Sequence, residues 1–379
     1  MPLSKKKVRT SNAKTTQKRK SSKNKKRATY VRNKTVPIIK ELSQYIYNQL
    51  HINPPQPIGI NQGSKGSYSP SINEELVSLR SMKRQMPINC NNERAFKLLE
   101  PLEISIPNIL FGNTCVAYSQ QKAKKYLLKN LAANKHVNVD KIIPPRQMRA
   151  NCWFNVMFVV LFVSDKGRKF FHFFRQLMIE GKQADGQKIP EKLRNGFALL
   201  NYAVDICLTG NEFAYTLDTN AIIEDIYKSI PESYKEKLPY ITDVEKSGNP
   251  MRYYGSIIYY LHNKSLSLEF IRKATIMWKQ QIQTQIQLNT PHLICLEFYA
   301  TLEDQVTNKP KSFTINGARY SLDSCIIRDT TMQHFSAALT CDHNEMGYDG
   351  MSFHRLEPLI WQKYINTNFS WSFEGSNEI

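Results

Sequence analysis

At 379 residues, with 41% hydrophobic and 11% aromatic residues, the chain can build one large domain with extensions or two domains. Its formal net charge is +20, yet residues 1–36 hold ten Lys and four Arg with no acid; that segment carries +14 and the other 343 residues +6. Seven cysteines at irregular spacing, with no CxxC pair, exclude a zinc ribbon, give no sign of a disulfide framework and point to a reducing compartment.

The sequence has no N-terminal apolar stretch of the secretory kind, and its longest apolar run, around residues 153–163, is too short to span a bilayer. The expectation is a soluble chain of the cytoplasm or nucleus with no membrane partner. Residues 1–36 lack hydrophobic periodicity and are expected to form a disordered basic tail. Such a tail can contact nucleic acid or another polyanion by neutralising phosphates, or act as an import signal.

Residues 37–140 read as an α-rich extension. A short amphipathic helix is expected over 37–50, a Pro/Gly-rich linker over 52–72, another helix over 73–86 and the clearest one over Val116–Leu131. Ile142-Ile143-Pro144-Pro145 ends the extension and forces an extended approach to Gln147. Residues 141–379 form the remaining domain. Its helices are expected from Cys152, then at 168–180, 190–208 and 219–230, with Phe170–Phe174 as core. After Pro291 come short strand-like runs at 293–299, 311–315, 319–327 and 335–341, with Asn316-Gly317 as a hairpin turn. Helices first and strands last make an α+β domain: a helical lobe with a central Cys-bearing helix packed on an antiparallel sheet lobe. Cys325 and Cys341 alternate with strand residues and read as core, and Trp361 and Trp371 as packing of the C-terminal segment.

The chemistry centres on Gln147-Met148-Arg149-Ala150-Asn151-Cys152-Trp153-Phe154-Asn155, followed by the apolar run Val156–Val163. A cysteine opening a buried helix meets unpaired N–H groups and the positive end of the helix dipole, which favour thiolate. A thiol nucleophile also needs a base and a group that orients it. His334 opens the apolar strand His334-Phe335-Ser336-Ala337-Ala338, and Asp349 would start the next strand beside it. An Asp there accepts from the far ring nitrogen and fixes the tautomer. His343 and His354 are rivals in polar or loop-like settings. The Cys152 backbone N–H and the Gln147 side chain are candidate oxyanion donors, with Asn151 competing for the side-chain role.

These residues resemble ubiquitin-specific proteases, within the papain superfamily of cysteine peptidases. In that family an Asn stands five residues before a Cys-aromatic pair and another Asn three after the Cys; here stand Gln147, Cys152-Trp153 and Asn155. Its second box has Tyr-x-Leu, then His-aromatic-x-Ala and an Asp; here stand Tyr320-Ser321-Leu322, His334-Phe335-Ser336-Ala337 and Tyr348-Asp349. The resemblance covers residues 140–365. It implies a papain-like fold, Cys152 as nucleophile, His334 as base and then acid, Asp349 as orienter, Gln147 as oxyanion donor and no cofactor. The partner it implies is a protein substrate, either a ubiquitin-like conjugate or, by analogy with cysteine proteases of large DNA viruses, a viral precursor, with packaging in the virion. The sequence departs from the family at Arg149-Ala150-Asn151, where it has Gly-Asn-Thr, at Gln333, where it has Gly, and in having no paired zinc-finger cysteines.

Two other readings compete with this one. A thiol protease of reverse order needs Cys325 or Cys341 to follow a His-Trp pair and a Gln; His292 precedes Leu293 and neither Cys opens a helix, which excludes it. The alternative from another class is a non-catalytic nucleic-acid-binding virion or chromatin-type protein on a peptidase-derived fold.

Overall fold

The computed structural model describes residues 90–366, apart from 109–111, 135, 264–266, 273, 288–289, 299–308, 330–332 and 352–354. The chain divides into two units, Met1–Pro55 and Gln56–Ile379, and every described residue lies in the second. The basic segment 1–36, the elements expected between 37 and 86, His354 and Trp371 lie outside the described residues.

The first described elements are α1 (Asn92–Ala95), β1 (Glu103–Asn108), β2 (Gly112–Ala117) and α2 (Gln121–Ala133). β1 and β2 form an antiparallel hairpin with Glu103 opposite Ala117. Val116 therefore lies in a strand, and the helix expected from residue 116 starts at Gln121. It buries Ala123, Leu127 and Leu131, one face at four-residue spacing. Cys90 and Cys115 are joined by a disulfide, which corrects the sequence expectation of none. The two cysteines match no framework spacing; the fold brings their Cα atoms to 5.3 Å.

A helical group follows: α3 (Cys152–Phe162), α4 (Asp165–Phe170), α5 (His172–Glu180), α6 (Leu193–Thr209), α7 (Asn220–Ser229), α8 (Glu232–Lys237) and α9 (Pro250–Tyr260). All eleven residues of α3 are buried. Val156, Val159 and Val160 are mediocre helix formers, so burial, about 1.5–3 kcal/mol for each large apolar side chain, sets this helix in place. The helix expected over 168–180 is two, broken at Phe171. Asn130 of α2 donates to Asp205 of α6 at 3.0 Å, and Asp205 also pairs with the buried Arg175 of α5. Ala95, Leu102, Ile104, Val116, Leu127 and Leu131 share one hydrophobic core with α3.

Next come β3 (Leu268–Ile271), α10 (Trp278–Ile286) and β4 (Leu293–Leu296). β3 and β4 run parallel, as strands joined through a helix do, against the expectation of a wholly antiparallel half. β5 (Ser312–Ile315) and β6 (Ala318–Ser321) pair around Asn316-Gly317, whose φ values of 51° and 76° are those that Asn-Gly supplies in a tight hairpin. With Ile271, Trp278, Ile282 and Ile315 this region forms a core of its own.

The last sheet is antiparallel: β7 (Ser324–Asp329), β8 (His334–Cys341), β9 (Asn344–Tyr348) and β10 (Glu357–Pro358), in the order β10-β9-β8-β7. Alternation along β8 separates its two faces. Ala337, Leu339 and Cys341 join the core that contains α3, while Ala338 joins a second cluster with Leu359 and Trp361. The whole is an α+β arrangement with the Cys152 helix packed against β8. Among the described residues, no helix is long and apolar enough to cross a membrane.

Candidate active site

Three separate segments meet at the start of α3. Cys152 is its first residue, 8% exposed, with the thiol at the core boundary. His334 is the first residue of β8 and Asp349 directly follows the last residue of β9, at the end of the strand, where the sequence reading had it at a start. β8 and β9 pair with Ala337 opposite Tyr348, which brings these two ends together. His334 Nε2 and Asp349 Oδ1 are 2.8 Å apart, and both side chains are almost fully buried.

Gln333 holds φ at 53°, the left-handed conformation that glycine adopts most easily and other residues seldom do. The backbone therefore reverses just before the histidine, at a residue that is not glycine. On the far side, Asp349 Oδ1 also accepts the Met351 N–H at 2.9 Å. That second bond pins the carboxylate in the orientation the imidazole meets.

Burial pushes the His334 pKa down, but hydrogen bonds to Asp349 and to Cys152, with the charges of both, outweigh it and raise it to about 9. Since Nε2 faces Asp349, Nδ1 is the ring nitrogen left for the thiol. The imidazole thus bridges carboxylate and sulfur, the order in which a base is oriented by one neighbour and serves the other. His343 is excluded as the partner: it sits in the turn beyond Cys341, at the opposite end of β8, where its backbone N–H donates to Asp165.

The approach to Cys152 is fixed by backbone contacts. Tyr348 Oη donates to the Pro145 carbonyl at 2.5 Å, and the Gln147 N–H donates to the Gly350 carbonyl at 2.8 Å. A Cβ at Gly350 would lie 2.8 Å from Tyr348 Oη and 3.2 Å from Gln147 N, so this close approach needs a glycine. The Gln147 side chain donates one Nε2 hydrogen to the Arg149 carbonyl at 2.8 Å, leaving the second for a ligand. Asn151, the competitor, is buried and donates instead to Thr219 Oγ1 at 2.9 Å. Its side chain caps no N–H of α3.

Behind the thiol, Trp153 is 1% exposed and contacts Phe154 and Tyr253 edge-on. Gly248 lies flat on its indole; a Cβ there would come within 2.3 Å of the ring. Sequence reasoning missed Thr219, Gly248 and Gly350. Thr219 precedes a helix, where a hydroxyl ordinarily serves as a cap, so nothing local in Asp218-Thr219-Asn220 signals its actual partners. Compared with known proteins, the chain matches no family model, no curated protein and no solved structure.

Proposed function

We propose that this chain is a cysteine peptidase of papain-like architecture, resembling ubiquitin-specific proteases, that hydrolyses peptide or isopeptide bonds in a protein substrate. The observation that carries the reading is the line Cys152–His334–Asp349: a thiol at the start of a buried helix, hydrogen-bonded to an imidazole whose far nitrogen is held by a buried carboxylate. That order supports nucleophilic catalysis better than a core role for three polar side chains.

His334 takes the thiol proton, Cys152 Sγ attacks the carbonyl carbon, and the electron pair moves onto the carbonyl oxygen. The Cys152 N–H and the second Nε2 hydrogen of the Gln147 side chain are the donors for that oxyanion. Collapse breaks the C–N bond, and His334 gives its proton to the leaving amine. Water, deprotonated by His334, then attacks the thioester, releasing the acid and the thiol. Asp349 keeps the imidazole oriented throughout. Ubiquitin-like conjugates and viral precursor proteins are the substrate classes this reading names, with residues 1–36 available for nucleic acid. Incubation with a ubiquitin conjugate and with denatured casein tests it: cleavage by the parent, lost in Cys152→Ala, is the expected result. Equal cleavage by both proteins, or none by the parent, overturns it.

A further inference from the structure

Thr219 immediately precedes α7, 64 residues beyond Asn155, and is fully buried. A Thr at that position ordinarily turns its hydroxyl to the helix's own N–H groups. Here it makes no such cap. Its Oγ1 donates to Asn155 Oδ1 at 2.7 Å and accepts from Asn151 Nδ2 at 2.9 Å, and Asn155 Nδ2 donates onward to the Arg146 carbonyl at 3.2 Å. One hydroxyl thus ties the residue before Cys152, the first turn of α3 and the residue before Gln147. Both candidate oxyanion donors, the Cys152 N–H and the Gln147 side chain, sit on the segment so tied. None of these bonds reaches His334 or Asp349.

We infer that Thr219 is a positioning residue for the oxyanion site: it holds the 146–152 segment so that both donors converge on the developing charge, and it does not touch the reacting atoms. The inference rests on the peptidase reading and goes beyond it by separating oxyanion geometry from thiol–imidazole pairing. The separation can be read with two small probes. In p-nitrophenyl acetate the sulfur attacks the ester carbonyl, charge develops on its oxygen, and p-nitrophenolate leaves as the thioester forms. With iodoacetamide the sulfur displaces iodide and no oxyanion arises.

The full chain is compared with Thr219→Val, which keeps the shape and removes the hydroxyl, and with Thr219→Ser, which keeps the hydroxyl. Thr219→Val should slow acylation by p-nitrophenyl acetate about ten- to a hundredfold while alkylation of Cys152 stays within about twofold with the same pH profile. Thr219→Ser should restore acylation. Should Thr219→Val not fold, Asn155→Leu removes the Thr219–Asn155 and Asn155–Arg146 bonds of the same chain and is read by the same two rates. Equal loss of both rates would make Thr219 a general structural residue, and loss of neither would leave it no role; each overturns the inference while the peptidase reading stands. A parent that shows no Cys152-dependent acylation overturns both together.

Discussion

His334 and Asp349 lie fifteen residues apart in sequence and 2.8 Å apart in space, at neighbouring ends of adjacent antiparallel strands. The pair is buried, and together with Cys152 it raises the His334 pKa to about 9. The imidazolium form is therefore favoured in the folded protein, and its stabilisation is fully present below the ordinary histidine value of 6.5. It is lost as pH rises from there through about 9. Stability measured by urea unfolding should fall across that window. In Asp349→Asn the imidazole resonance should titrate at lower pH, because the carboxylate charge is gone. A titration unchanged by Asp349→Asn would contradict the pairing.

The ring of Trp153 leaves no room over Gly248. The indole is boxed in by Phe154 and Tyr253 and cannot swing aside. Gly248→Ala should therefore destabilise the fold by about 1–3 kcal/mol, the cost of overpacking a filled core. Denaturant unfolding measures it. A stability equal to the parent's would show that the loop over Trp153 yields freely.

The Cys90–Cys115 disulfide closes a loop, with a sequence separation of 25, that holds α1, β1 and the start of β2. Constraining a loop of that size in the unfolded chain is worth about 3 kcal/mol. Cys115→Ser should lower the thermal midpoint, and reductant should shift the parent to match the variant. Free-thiol counting on the denatured protein checks the bond directly: seven alkylated cysteines without prior reduction would contradict it.

Local patterns made part of this arrangement legible. The apolar run after Cys152 marked a buried helix, Asn316-Gly317 marked its hairpin, and His334 opened an alternating strand. The strand expected over 319–327 failed for a reason that lies far away in sequence. Asp323 accepts from Ser164 Oγ at 2.5 Å and from the Lys166 N–H at 3.0 Å, drawing the chain off one sheet and into another. Thr219 was illegible likewise: its hydroxyl answers to Asn151 and Asn155, not to the helix it precedes. Cys90 and Cys115 carry no spacing signature, so only the folded hairpin joins them. Long-range polar contacts of single side chains leave no periodic trace in a sequence.

On the proposed function, Cys152 is a nucleophile activated by His334. Five cysteines are free: Cys152, Cys207, Cys295, Cys325 and Cys341. Burial raises the other four thiols, Cys325 to about 11, Cys295 and Cys341 to about 12 and Cys207 further still. Native protein near neutral pH should therefore be treated with substoichiometric iodoacetamide, and the labelled site read by peptide mass spectrometry. The expected result is label on Cys152 almost alone, formed more slowly in His334→Ala. Label spread over the other cysteines, or a Cys152 rate indifferent to His334→Ala, would contradict the account.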